Sequence, residues 1–276
     1  MKVKLKEILE KCYKNKKSLI AFNAQNIYHL QALKEVTEEL KQPVIVQFSA
    51  RYVKQFEKRF GFEFLKENYR NSYMYFHLDH CQDLDLIKFC IEAGFDGVMY
   101  DGSEFSLDEN IRTTNLVLDM AKSENCMVEG ELGQIGGVED GIGSESMSFA
   151  NLSEVKKYID STGLGLLALG IGNAHGFYST IENIDTSILL KTKEILKRDQ
   201  LFVLHGGSGM PDEMILDTIN YGVVKINFST QIKQTTNDAL KEYLNFGELF
   251  NEINFEKSLV KNLKKLFTKL INKYTV

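Results

Sequence analysis

The feature that most limits what this chain can fold into is a regular alternation along its length. Eight short apolar runs are separated by longer stretches whose apolar residues recur with helical spacing. The runs are Ser18–Phe22, Val44–Gln47, Tyr73–Leu78, Gly97–Tyr100, Cys126–Gly130, Gly165–Leu169, Leu201–Leu204 and Val223–Ile226. Between them lie Tyr28–Leu40, Leu84–Ala93, Leu107–Ser123, Ser153–Ser161, Ile184–Lys197 and Asp212–Tyr221, which read as helices. Start signals mark several of these: Asp83, the capping-box-like Asn151-Leu-Ser-Glu154, and Pro211.

Strands alternating with helices imply parallel pairing through crossovers. A closed barrel of eight such units needs about 250 residues, and the chain has 276. The expected fold class is therefore α/β: a single (β/α)8 TIM barrel over residues 1–276, with an added C-terminal helix at Phe255–Tyr274 that lays its Lys-rich face to solvent. A doubly wound open sheet is the other arrangement, but no G-x-G-x-x-G follows the first run.

Hydrophobic content of 43% is enough to bury a core of this size. A net charge of −5 argues against a nucleic-acid binder held by phosphate contacts. No apolar run reaches bilayer-spanning length, and no apolar signal core follows the charged N-terminus, so a cytoplasmic location without membrane contact is expected. Cys12, Cys81, Cys90 and Cys126 form no C-x-x-C pair and read as reduced thiols.

In a barrel, functional groups gather at the C-terminal ends of strands. All eight runs here end in polar or titratable residues. They lead into Asn23-Ala-Gln-Asn26, Gln47-Phe-Ser49, His77-Leu-Asp79-His80, Asp101-Gly-Ser103, Glu129-Gly-Glu131, Gly172-Asn-Ala-His175-Gly176, His205-Gly206-Gly207-Ser208-Gly209 and Asn227-Phe228-Ser229-Thr230. Three of the five histidines, His80, His175 and His205, follow the third, sixth and seventh runs. Three imidazoles with a fourth position left open make a catalytic zinc site. The loops after runs seven and eight offer glycine backbone and hydroxyl donors, the usual place for a phosphate in a barrel. His77 shares a strand face with Asp79 and reads as a structural hydrogen-bonding residue, and His29 as a surface or interface residue. The glycine- and acid-rich stretch 133–148 reads as a mobile loop carrying Glu139 and Asp140.

These residues resemble the class II fructose-bisphosphate and tagatose-bisphosphate aldolases. The matching segments are Ala21–Asn26 (AFNAQN), Phe76–His80 (FHLDH), Gly94–Ser103 (GFDGVMYDGS) and Val128–Asp140 (VEGELGQIGGVED), followed by Leu167–Tyr178 (LALGIGNAHGFY), His205–Glu213 (HGGSGMPDE) and Gly222–Thr230 (GVVKINFST). The resemblance implies a catalytic zinc on His80, His175 and His205. Asp101 and Glu131 match positions that contact a second or displaced divalent ion. Asp79 would exchange a proton with the aldehyde oxygen, and Glu139 with the carbon of the dihydroxyacetone phosphate half. Gly176, Gly206, Gly207, Ser208, Asn227, Phe228, Ser229 and Thr230 would cradle that half, with Asn23 and Ser49 lining the pocket. A monovalent cation, Na+ or K+, near the glycine carbonyls and a homodimer or homotetramer are also implied. The expected activity is cleavage of fructose 1,6-bisphosphate, with tagatose bisphosphate or another ketose phosphate as the alternative; a non-catalytic metal-binding paralogue is the reading from another class. Lys225 invites a Schiff-base role, which three metal-binding histidines make superfluous.

The chain departs from the family in three places. Ala50-Arg-Tyr-Val-Lys54 replaces a small glycine-containing turn. Asn173 replaces a common threonine. Residues 245–255 lack the Asp-Pro-Arg stretch that brings an arginine to the distal phosphate, and Arg51 or Lys54 lies where a substitute is needed.

Overall fold

A computed structural model of the chain describes residues 3–137, 147–176, 183–245 and 251–275. Eight parallel strands close into a barrel in sequence order: β1 (Leu19–Asn23), β2 (Val44–Ser49), β3 (Met74–Cys81), β4 (Gly97–Tyr100), β5 (Met127–Leu132), β6 (Leu166–Leu169), β7 (Leu201–Leu204) and β8 (Val223–Phe228). Helix α1 (Leu5–Asn15) precedes β1, and α2 (Ile27–Leu40) follows it. Helices α3 (Ala50–Phe60) and α4 (Phe62–Tyr69) follow β2. Each of the next five strands is followed by one helix: α5 (Leu84–Glu92), α6 (Leu107–Ala121), α7 (Leu152–Thr162), α8 (Ser187–Leu196) and α9 (Asp212–Asn220). Helices α10 (Thr230–Asn245) and α11 (Glu252–Tyr274) complete the chain.

The expected barrel is therefore present, and each of the eight runs is a strand. Two of them keep both ends and elsewhere the ends move by no more than three residues, chiefly because polar residues at the C-terminal ends stay paired. Asp79 aligns with Ser49, for instance, and Asn227 with Ala21. Helices start where short polar side chains accept the first free N–H groups. Asn26 takes that of His29, Asp83 that of Leu86, and Asn151 those of Ser153 and Glu154.

The segment Ala50–Lys54, which departs from the family's small turn, opens α3. It has no glycine or proline, and Val53 and Phe56 recur on the buried face. Helices α1, α3, α4 and α10 carry too few apolar residues to stand out beside their charged ones.

Outward-facing strand side chains and the inner faces of the helices form the main core. Its densest knot surrounds Phe48, whose ring lies 5.1 to 5.8 Å from those of Phe76, Phe62, Phe56 and Phe95. The tail helix α11 belongs to this core: Phe267 stacks 4.6 Å from Phe22, and Tyr274 donates to Asp212 at 2.6 Å.

A second cluster fills the N-terminal half of the barrel. Leu19, Ala21, Ile45, Tyr75, Leu166, Ala168, Val203 and Val224 meet Leu5, Leu9 and Cys12 of α1, which plugs that end. The apolar plug leaves the C-terminal half of the interior to polar side chains. Among the described residues no helix is long and apolar enough to cross a membrane.

Candidate active site

Strand alternation sends Tyr75, His77 and Asp79 of β3 into the barrel and Phe76 and Leu78 outward. Strict alternation would send His80 outward too. Instead the β3–β4 register shifts between Leu78 and Cys81, and His80 takes φ = 37°, a left-handed value that costs a non-glycine residue roughly 1–2 kcal/mol. The bulge turns His80 inward beside Asp79, so two consecutive residues serve the same cavity.

There His80 meets the other two histidines. The ring centroids lie 5.0 Å apart for His80 and His175, 4.6 Å for His80 and His205, and 6.0 Å for His175 and His205. One nitrogen from each ring lies within 4.8 Å of the others. Nε2 of His80 faces Nδ1 of His205 at 2.9 Å. A second set, His80, Asp101 and Glu131, meets the same distance limit. Nδ1 of His80 donates to Asp101 Oδ2 at 2.8 Å and lies 3.8 Å from Glu131 Oε2.

His175 sits on a loop fixed from both sides. Its N–H donates to Gly136 O at 2.7 Å, and Gly136 N–H donates to Asn173 O at 3.2 Å. The Asn173 side chain donates to His205 O at 3.1 Å, tying the loops after β6 and β7 together. Glu139, expected on the loop beyond Gly137, lies outside the described residues, as does Asp140.

The donor set suits a divalent cation. Burial opposes charge on His80, but the hydrogen bond to Asp101 and the charges of Asp79, Asp101 and Glu131 outweigh it and push the ring up to about 10. A site that holds a proton this firmly between two imidazoles has the negative surroundings a metal ion needs. Around a tetrahedral zinc, ligand nitrogens lie about 3.3 Å apart, so small shifts of these rings would accommodate one. Burial and the neighbouring Asp101 carboxylate raise the Glu131 carboxyl well above its usual range. Among the described residues its Oε2 has no hydrogen-bond partner, which leaves an oxygen available to a cation.

Asp79 is aimed by amides. Asn23 Nδ2 donates to its Oδ2 at 2.8 Å and Asn227 Nδ2 to its Oδ1 at 3.4 Å, while Gln47 Nε2 donates to Asn23 Oδ1 at 3.3 Å. Buried side-chain oxygens with no partner among the described residues gather around this cavity: Gln47 Oε1, Ser49 Oγ, Glu131 Oε2, Asn227 Oδ1 and Ser229 Oγ. Buried polar atoms are normally satisfied, so this concentration marks a ligand pocket.

The loops after β7 and β8 form its floor. Gly206 has φ = 75°, and a Cβ on Gly207 would meet Ile226 Cγ2 at 2.8 Å. Ser208 Oγ accepts from Gln231 N at 3.3 Å in the first turn of α10, which begins at Thr230 and points its N-terminus at the mouth. Gly176, with φ = 100°, directly follows His175. Phe228 is the exception among the expected pocket residues: its side chain points outward onto Tyr274, ring centroids 6.1 Å apart. Only its backbone faces the site.

One other expectation needs correction. His29 is not on the surface; it is 1% exposed, because its ring closes against Gln25, Asn26 and Thr236. His77 is fully buried, with Nε2 3.3 Å from Glu129 Oε2.

Sequence reasoning passed over Glu129, which accepts from His205 Nε2 at 2.9 Å and from Lys225 Nζ at 2.7 Å. The available signal was period two: Glu129 and Glu131 alternate with Gly130 and therefore share the inner face. Burial opposes its charge, but Lys225, His205 and His77 hold the Glu129 carboxyl well below its usual range. Burial, against the pull of Glu129, lowers His205 to about 4.

Solved structures share this fold. A protein from Coccidioides immitis described as a fructose-1,6-bisphosphate aldolase superposes with a TM-score of 0.86 at 22% identity, covering 98% of this chain and 96% of that one. The YdjI aldolase from Escherichia coli K12 gives 0.83 at 23% identity, with 100% and 98% covered. A fructose-bisphosphate aldolase from Campylobacter jejuni gives 0.81 at 21%, with 98% and 93% covered. Identities this low speak for the fold alone. The sequence itself matches the family described as fructose-bisphosphate aldolase class-II over residues 3–275. A match across nearly the whole chain, on a barrel whose mouth gathers three imidazoles and an aspartate, means that the chain belongs to the class-II fructose-bisphosphate aldolase family.

Proposed function

We propose that this protein is a zinc-dependent ketose-bisphosphate aldolase. It reversibly cleaves fructose 1,6-bisphosphate to dihydroxyacetone phosphate and an aldehyde such as glyceraldehyde 3-phosphate. The observation that carries the reading is the convergence of His80, His175 and His205 to within 4.8 Å beside the buried Asp79. His80, His175 and His205 would hold the ion, with Asp101 and Glu131 available to a second or displaced one. Zinc bound there supplies Lewis-acid stabilisation of the negative charge that carbon–carbon cleavage leaves on the ketone half.

The chain's own groups handle protons and binding. In the cleavage direction Asp79 takes the proton of the C4 hydroxyl as the C3–C4 bond breaks. The electron pair stays with the dihydroxyacetone phosphate half. Asn23 and Asn227 hold the two Asp79 oxygens for this transfer. Glu139 then returns a proton to the carbon that lost its partner. Gly176, Gly206, Gly207, Ser208, Asn227, Ser229, Thr230 and the backbone of Phe228 receive the phosphate end, where amide donors and the α10 N-terminus favour an anion. A sodium or potassium ion near the glycine carbonyls, and assembly into a dimer or tetramer in the cytoplasm, belong to the same reading. Lys225 forms no Schiff base here, since Glu129 holds its ammonium in the barrel interior.

Tagatose 1,6-bisphosphate, the C4 epimer, is the second substrate to test, and ketose 1-phosphates follow because residues 245–255 lack the family's arginine for the distal phosphate. A coupled assay of the zinc-loaded protein should register cleavage of one of these ketoses. Absence of turnover on both, and on ketose 1-phosphates, would remove the aldolase reading.

A further inference from the structure

Lys225 and Glu129 are both fully buried, yet the proton transfers above use neither. The interior of a barrel is ordinarily filled with apolar side chains. A buried ion pair is weak evidence for stability, because burial costs each charge its hydration. The pair therefore calls for another role, and its geometry supplies one.

We propose that Glu129 and Lys225 are positioning residues for His205: the carboxylate takes the Nε2–H of His205, Lys225 anchors the carboxylate, and the ring is thereby fixed with Nδ1 presented to the divalent ion it shares with His80 and His175. This rests on the metal-site reading above.

Three observations carry it. Glu129 Oε1 lies 2.9 Å from His205 Nε2, and Lys225 Nζ lies 2.7 Å from the other oxygen, Oε2, so each carboxylate oxygen is committed. A carboxylate only accepts, so Nε2 carries the proton and Nδ1 the lone pair, and that Nδ1 faces His80 Nε2 at 2.9 Å within the histidine cluster. Finally, His77 closes against Oε2 at 3.3 Å and keeps the carboxylate from turning. Gly97 makes room for that ring: a Cβ there would lie 2.5 Å from His77 Cδ2. Four strands, β3, β5, β7 and β8, thus converge on one carboxylate. A carboxylate behind a metal-binding imidazole sets its tautomer and raises its basicity.

The test is the double variant Glu129→Gln/Lys225→Met, which removes both charges together and leaves neither buried alone. Zinc affinity is measured by chelator competition, and the visible spectrum is recorded after loading with cobalt(II). The folded double variant is expected to bind zinc about 10- to 100-fold more weakly than wild type, with displaced cobalt bands. Wild-type affinity and an unchanged cobalt spectrum in a folded double variant overturn the proposal and leave the pair as packing. Should the double variant not fold, Glu129→Asp keeps both charges and withdraws the carboxylate by one methylene. The same loss of affinity is expected there, and its absence is equally fatal. Sugar-phosphate cleavage is not read in either experiment, so failure of the aldolase reading would leave this result standing. A wild-type chain that binds neither zinc nor cobalt overturns the metal site and the positioning role together.

Discussion

The carboxylate of Asp79 on the third strand is held by the side-chain amide of Asn23 on the first, Nδ2 to Oδ2 at 2.8 Å, past the intervening second strand. This contact aims a buried acid into the cavity without neutralising it, as proton transfer requires. Replacing Asp79 with alanine should lower turnover by about 10² or more, as for a lost general acid or base. Zinc content should stay at the wild-type level. Metal analysis beside kcat decides the matter: if the metal is lost in step with activity, Asp79 supports the site rather than the reaction.

His175 lies six residues beyond the end of β6, farther from its strand than His80 or His205 from theirs. Its ring nevertheless stands 5.0 Å from that of His80. His175→Ala should weaken zinc binding by more than about 100-fold, beyond the loss expected for a supporting residue, and thermal unfolding should shift little once metal is removed from both proteins. Zinc binding unchanged in dialysis against a chelator would take His175 out of the ligand set.

His29 makes acid stability a local matter. Burial lowers its ring from 6.5 to about 4, against a hydrogen bond to the Asn23 backbone carbonyl that raises it. Between pH 6.5 and 4 the unfolded chain therefore binds a proton here that the folded chain refuses. Stability falls as pH drops through that window, by about 3 kcal/mol for this residue, and is fully retained above it. In urea titrations at a series of pH values, the stability advantage of wild type over His29→Gln should shrink from pH 6.5 to 4. A constant difference would show that the ring does not titrate as its burial demands.

Helix α11 is held to the barrel by Phe267, fully buried against Phe22. Truncation to alanine leaves a cavity between the tail and β1, with a cost of about 3–5 kcal/mol. A loss below about 1 kcal/mol in chemical denaturation would mean the tail contributes little to the cooperative unit.

Gly207 has no room for a methyl group: a Cβ would lie 2.8 Å from Ile226 Cγ2 and 3.0 Å from Asn227 O. Gly207→Ala should displace the loop after β7 from the phosphate end of the pocket. KM for the ketose phosphate should rise about tenfold or more, with zinc content unchanged. An unaltered KM would place the phosphate elsewhere.

Much of the molecule was legible in the residue order, because strand–helix alternation is a local property set by where apolar side chains recur. The eight strands, the tail helix and the concentration of polar groups at strand ends follow from it. Period two put Asp79, Glu129, Glu131, Lys225 and Asn227 on inner faces. Other features depend on contacts between segments far apart in sequence. His80 reaches the cavity only through a bulge at φ = 37°, which alternation contradicts. Phe228 turns outward by the same alternation that puts Asn227 inside, and what it packs against, Tyr274, lies 46 positions later. His29 is buried by Thr236 of α10. Glu129 gains its meaning only where His205 and Lys225 meet on its two oxygens. The sequence thus determined which side chains line the barrel. The tertiary structure decided which atoms of those side chains face one another, since that depends on strand register and barrel closure, which join residues whose separation along the chain carries no local signal.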